Sequence, residues 1–193
     1  MPTKAEKTEA TQKKILKAAR KVFATHGYTK AALAEIVSKA GVTTGAIYHH
    51  FGDKKGLFIA VAMQLEQLIL DESNAAIPAS GSSWEKFTAS IMATLEICAR
   101  PDIQRIVFRD APSVVGLFEW RKIEIQFGFG VMQKSLAYLA EKEIISITNP
   151  DLTAQMVLGA LMEASHFAAI ADNKAETLKQ GQELMLKVLN SLK

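Results

Sequence analysis

Apolar residues recur at spacings of three and four along nearly the whole chain, and this restricts the fold more than any other feature. Leu57, Val61, Leu65 and Leu68 follow one another in this way, as do Trp84, Phe87, Ile91, Leu95 and Cys98. No alternating strand pattern and no internal repeat interrupts the helical spacing, and the 193 residues include only five prolines. The expected fold class is therefore all-α. With 49% hydrophobic and 22% charged residues, the chain has enough apolar surface for a sizeable core.

Helix signals place the elements. A first helix is expected from about Thr8 to His26, with Ile15, Ala18, Ala19, Val22 and Phe23 inward and Gly27 as a left-handed cap. Leu33 to Ala40 forms a short second helix stopped by Gly41, and a third begins almost at once. The fourth runs from Asp53 to about Ala76, and Pro78 to Ser83 is a loop. A fifth covers Trp84 to Ala99. Pro101 and Pro112 bracket an irregular one, and a single long helix is expected from Val115 to Lys142. Two more, opening at Asn149 and Ala175, bring the total to about nine.

Charge separates the two ends. Residues 1–56 hold eleven Lys and Arg against four Asp and Glu, net +7, whereas the rest holds twelve against sixteen, net −4. A basic head on an acidic body suits a polyanion at the head and another task for the body; a solvated helix face is the plain alternative. The charged N-terminus lacks the apolar run of a signal peptide, and later apolar stretches are interrupted by Glu163 and His166. A cytoplasmic protein without a membrane segment is expected. The single cysteine, Cys98, excludes an internal disulfide and reads as core.

The segment Ala40 to Phe58, AGVTTGAIYHHFGDKKGLF, carries the functional signal. At 100° per residue, Ile47 and Phe51 point inward while Gly45, Ala46 and His49 form the opposite face, flanked by Thr44, Tyr48 and His50. A face that is small at its N-terminal end and bears ring donors further along suits the DNA major groove. Thr43 is placed to cap this helix and Asp53 to cap the next. The adjacent histidines diverge by about 100°, so they cannot chelate a metal as an i, i+4 pair does. No metal or cofactor is expected, and no nucleophile and base at recognisable spacing points to an enzyme.

On Phe23, Gly27, Tyr28, Ile36, Ala40-Gly41-Val42, Gly45, Ile47-Tyr48, His50-Phe51, Lys54 and Leu57, the first sixty residues resemble the DNA-binding domain of the TetR family of bacterial transcriptional regulators. The resemblance implies a three-helix DNA-binding head with a helix-turn-helix, residues 1–53, and a larger helical ligand-binding and dimerisation body, 54–193. It implies DNA contacts from eight residues: phosphate contacts from Tyr48, His50 and Lys54, base contacts from Thr44, Gly45, Ala46 and His49, and a contact at the cap, Thr43, with added attraction from Lys4 and Lys7. Two departures stand out. Ala31 and Ala32 replace residues that often cap the second helix, leaving Thr29 as the substitute. Gly56 replaces a better helix former, so that the fourth helix is expected to fray.

In the body, Trp84, Phe87, Met92, Phe108, Phe118, Phe127 and Met162 are expected to line an apolar pocket, with Arg109, Gln126 and His166 orienting a ligand; each is equally at home in an ordinary core. Small residues from Gly159 to Ala169, and a stripe of Leu178, Gly181, Met185, Val188 and Leu192, suit close packing, either internal or across a dimer. The expected function is a ligand-responsive repressor that binds a pseudo-palindromic operator as a homodimer, through the last two helices, and is released by a small, largely apolar effector. A helical small-molecule carrier or an enzyme with a vestigial head is the alternative.

Overall fold

The computed structural model describes residues 3–193, with the side chain of Lys4, one of the two arm lysines, outside the described set. Ten helices and no strand make up these residues. They are α1 (Lys4–Lys30), α2 (Leu33–Ala40), α3 (Thr44–Phe51), α4 (Lys54–Ala75), α5 (Ser83–Cys98), α6 (101–115), α7 (Leu117–Glu124), α8 (Gly128–Glu141), α9 (Pro150–Ile170) and α10 (Lys174–Asn190).

α1 begins earlier than Thr8 because Thr3 and Glu6 form a capping box: the Glu6 amide donates to Thr3 Oγ1 at 3.2 Å, and the Thr3 amide donates to Glu6 Oε2 at 2.6 Å. Gly27 does break the helix, but with φ 72° and ψ 170° it kinks the chain instead of closing a left-handed cap, and helix resumes to Lys30. Phe58 then meets Phe23 and Tyr28 edge to face, with centroids 5.1 Å apart in both pairs, fastening the end of α1 to α4.

α4 is the axis of the molecule. Leu57, Phe58, Val61, Ala62, Leu65 and Ile69 are buried along it, while Leu68 is only partly so. Its start adjoins α3; farther along, it packs against α5, α6 and α8. Gly56 does more than weaken the first turn. A Cβ there would lie 2.0 Å from the Phe51 carbonyl oxygen, so its absence permits the tight passage from α3 to α4. The Gly56 amide also donates to the Asp53 cap at 2.7 Å, which holds the turn against fraying.

The helix expected over Val115 to Lys142 is two. Gly116, at φ 99°, starts α7, and the chain turns at 125–127 before α8. A Cβ on Gly130 would sit 1.9 Å from the Ile125 carbonyl oxygen, so glycine admits the turn that a side chain would block. Between the prolines, the irregular helix is α6, and its middle, Gln104–Asp110, is wound as a π-helix, a form that recurs at functional sites.

α9 and α10 pair and close the body over α5. The stripe on the last helix turns mainly inward: Met185 is buried, and a Cβ on Gly181 would meet Ala164 at 3.7 Å. Of that stripe Val188 stays exposed, and with Leu184 on α10 and Leu152, Met156, Phe167 and Ile170 on α9 it forms the apolar surface left open. No helix of the described residues is long and apolar enough to cross a membrane.

Candidate nucleic-acid interface and effector pocket

Local chemistry builds α3, the helix whose exposed face the sequence assigns to DNA. Gly41 ends α2 in the left-handed region, φ 63° and ψ 41°, and its turn lets the Val42 amide donate to the Val37 carbonyl at 3.3 Å. The Thr43 hydroxyl then accepts the Ala46 amide at 3.2 Å, capping α3. Ile47 is wholly buried and fixes the rotation of the helix. Thr44, Gly45 and His49 consequently lie exposed, Ala46 is half-buried beside them, and Tyr48 is 52% exposed. His49 and His50 meet edge to face at 5.1 Å, and His50 is half-buried next to Phe51. Seven of the eight expected DNA contacts therefore share α3 and its cap.

Lys54, the eighth, is folded back. Its ammonium donates to the Thr29 carbonyl at 3.3 Å and sits 4.8 Å above the Tyr28 ring. One donor of three is thus used, and the other two remain for a phosphate. Thr29 is not the cap of α2: Ala32 occupies that place, without a side-chain bond. His26, at the end of α1, pairs with Glu35 of α2 at 3.3 Å.

The head is tied to the body by contacts that the sequence did not single out. Arg20 of α1 holds Asp102 of α6 at 2.6 Å, and the Tyr28 amide donates to Asp110 at 2.8 Å. The available signal was the placement of two aspartates, Asp102 and Asp110, on either side of Ile103, Ile106, Val107 and Phe108, between Pro101 and Pro112.

The expected pocket residues do not converge. Phe118 is 83% exposed, Gln126 is exposed with its side-chain amide donating to the Lys122 carbonyl, and Phe127 begins α8 half-buried. The breaks at Gly116 and 125–127 reset the helical phase on which their placement relied. Trp84 is core, covered by Lys193 at 4.7 Å from its ring, and Met92 packs on the core. Phe87 lines a groove of about 410 Å³ between α4, α5 and α8, with Ile69, Ile91, Val131, Met132 and Leu139. Ser73 and Thr94, hydrogen-bonded at 2.8 Å, are polar points in this apolar wall. Phe108, Arg109, Met162 and His166 line a separate cavity between α6 and α9.

Sequence reasoning also missed a buried acid pair. Glu66 of α4 and Glu124 of α7 are about 95% inaccessible, at 6% and 5% exposure. Burial first, then repulsion from Glu124, pushes the Glu66 carboxyl up to about 8, against a pull downward from Arg121. Burial likewise raises Glu124, although Arg121 lies 3.0 Å from it. Cys98 is fully buried, and burial pushes its thiol far above the range in which a thiolate forms.

Comparison with known proteins matches this arrangement from end to end. The bacterial regulatory proteins of the tetR family match over residues 15–61, and the tetracyclin repressor-like C-terminal domain over residues 84–192. The HTH-type transcriptional repressor BepR of Brucella suis biovar 1 is 30% identical across 99% of this chain and 95% of its own. The HTH-type transcriptional repressor AcnR of Corynebacterium glutamicum is 42% identical over 59 residues, and the match spans 31% of each protein. A TetR-family transcriptional regulator from Pectobacterium atrosepticum, a solved structure, superimposes with a TM-score of 0.75 at 32% identity, covering 99% of this chain and 97% of that one. A helix-turn-helix head on such a body defines a DNA-binding transcriptional regulator. The chain belongs to the TetR family, and repressors are among its relatives.

Proposed function

We propose that this protein is a cytoplasmic repressor that binds a pseudo-palindromic operator as a homodimer and releases it when a small, largely apolar effector enters the α4–α5–α8 groove. Residues 1–53 act as the DNA-binding head and 54–193 as the ligand-binding and dimerisation body. Thr44, Gly45, Ala46 and His49 meet base edges, while Tyr48, His50 and Lys54 meet phosphates, with Lys7 adding attraction that is indifferent to sequence. The exposed apolar residues of α9 and α10 supply the surface for a second copy, and a two-fold pair sets the reading helices about 34–36 Å apart on successive turns of the duplex.

The observation that carries this reading is the continuity of α4. Its Asp53 cap follows directly on α3, and its last turns, at Ile69 and Ser73, form the wall of the groove. An effector that binds one tilt of α4 better than another shifts the spacing of the two heads, because only differential affinity moves such an equilibrium. Membership of a family of transcriptional regulators favours this over the carrier and enzyme readings.

The neutral dye N-phenyl-1-naphthylamine tests the groove. It should bind and fluoresce in the native protein, lower the affinity for duplex DNA, and be excluded by Ser90→Phe, since Ser90 of α5 lines the groove and a phenyl ring there fills it while leaving DNA binding intact. Dye binding that Ser90→Phe does not alter removes the groove from the account.

A further inference from the structure

The cavity between α6 and α9 measures about 520 Å³ and differs in character from the α4 groove. Arg105, Arg109 and Lys174 line it together with His166, against a single carboxylate, Glu163. None of these three cations takes part in an ion pair among the described residues. Arg105 Nε is buried with no acceptor; it and Nη2 lie against the α1 kink, where a Cβ on Gly27 would be 3.1 Å from Nε and 3.1 Å from Asp110 Oδ2. Phe108 and Met162 give the same cavity an apolar wall.

The polar wall is held in place. The Gln104 amide nitrogen donates to the Cys98 carbonyl at 2.8 Å, so its oxygen is the atom that faces His166 Nδ1 at 3.2 Å. Nδ1 therefore carries the proton and donates, leaving Nε2 of His166 without that commitment.

We propose that this cavity binds a small aromatic carboxylate, with its ring against Phe108 and Met162 and its anionic oxygens on the donors of Arg105 and Arg109. This site goes beyond the effector groove and does not depend on it. Two arginines provide the planar donors that carboxylates accept from, and Phe108 provides the face that a ring stacks on. The cavity adjoins the apolar α9 face through Ile170.

Occupancy has a direct route to the head. Arg105 packs on the kink of α1: a Cβ on Gly27 would lie 2.8 Å from its Nη2. Asp110, at the other end of the same π-helical segment, accepts the Tyr28 amide one residue beyond that kink. A ligand that draws Arg105 toward the cavity thus alters the support of the turn leading into α2.

Calorimetric titration of the full chain with 1-naphthoate and with its neutral counterpart 1-naphthalenemethanol tests the proposal. The carboxylate should bind at least about tenfold more tightly, since a charge-assisted bond is the difference between them. Arg109→Gln, at an exposed position where folding is not at risk, should abolish that preference, and Ser90→Phe in the other groove should preserve it. Hydrogen exchange at the Tyr28 amide should change on binding. Equal affinities, a preference that survives Arg109→Gln, or a preference lost in Ser90→Phe overturns the site; unchanged Tyr28 exchange overturns its link to the head.

Discussion

The Cβ position of Gly56 lies 2.0 Å from the carbonyl oxygen of Phe51, so the passage from the reading helix to α4 has no room for a side chain. Gly56→Ala would gain helix propensity of about 1 kcal/mol in an open helix. Here the obstacle is backbone, which cannot swing aside, and the net effect should be a loss of about 2 kcal/mol or more, at the level of other steric insults. Urea denaturation measures it, and a variant as stable as the native chain would show that α3 and α4 separate without cost.

Gly45 is the contrasting case. Its Cβ position meets only Thr43 Oγ1, at 3.8 Å, and its backbone is helical. Gly45→Ala should therefore leave stability unchanged or raise it by up to about 1 kcal/mol. If α3 enters a groove, the added methyl group stands between helix and bases, and DNA affinity should fall although the fold has improved. Denaturation and mobility shift on the same preparation separate the two effects, and unimpaired DNA binding places this face outside the groove.

His49 and Lys54 should fail in different ways. His49→Ala is expected to relax preference at particular base pairs, by about 1–3 kcal/mol. Lys54→Gln should weaken all sequences alike and reduce the salt slope by about one unit. Because Lys54 also bridges Thr29 and Tyr28, its loss should cost a few tenths of a kcal/mol in stability, as expected for a partly exposed contact. An unaltered salt slope assigns it to the α1–α4 joint alone.

Glu66 makes stability depend on pH in the direction opposite to an ordinary paired carboxylate. The native state keeps the Glu66 proton up to about 8, whereas the unfolded chain gives it up near 4.5. Unfolding releases a proton between these values, so the contribution is full below about 4.5 and is lost as pH rises through about 8. Glu66→Gln keeps a neutral side chain of the same shape and should flatten this decline, gaining stability on the order of a few kcal/mol relative to the native chain at about pH 8.5. Denaturation midpoints at about pH 5.5 and about pH 8.5 decide it; parallel declines in the two proteins would locate the proton elsewhere.

What the sequence disclosed about the fold and the site follows from the range over which each feature is encoded. Thr43, Asp53 and Gly41 act on amides within a few residues, and Ile47 sets the rotation of α3 by itself, so the exposed face of the head was legible at once. The groove was not, because its walls come from three helices whose relative phase depends on the turns at Gly116 and 125–127. Phe118 read as pocket lining and stands in solvent for that reason. Glu66 was hidden in the opposite way: a lone carboxylate among Leu65, Leu68 and Ile69 looks like the solvated edge of a stripe, and only its packing against α7 shows it buried. On α10, one stripe could serve either packing within the chain or pairing between chains, and the approach of Gly181 to Ala164 assigns most of it to the interior.

Reading by paired α3 helices is decided by selecting bound duplexes from a random library with the 193-residue chain. The sites recovered should be two inverted half-sites with centres about one helical turn, 10–10.5 base pairs, apart or a multiple of it, and Ala46→Asp together with His49→Ala should abolish or redirect the enrichment. Recovery of no sequence, or of one site without a two-fold repeat that the native protein and the double variant select equally well, would contradict reading by paired α3 helices.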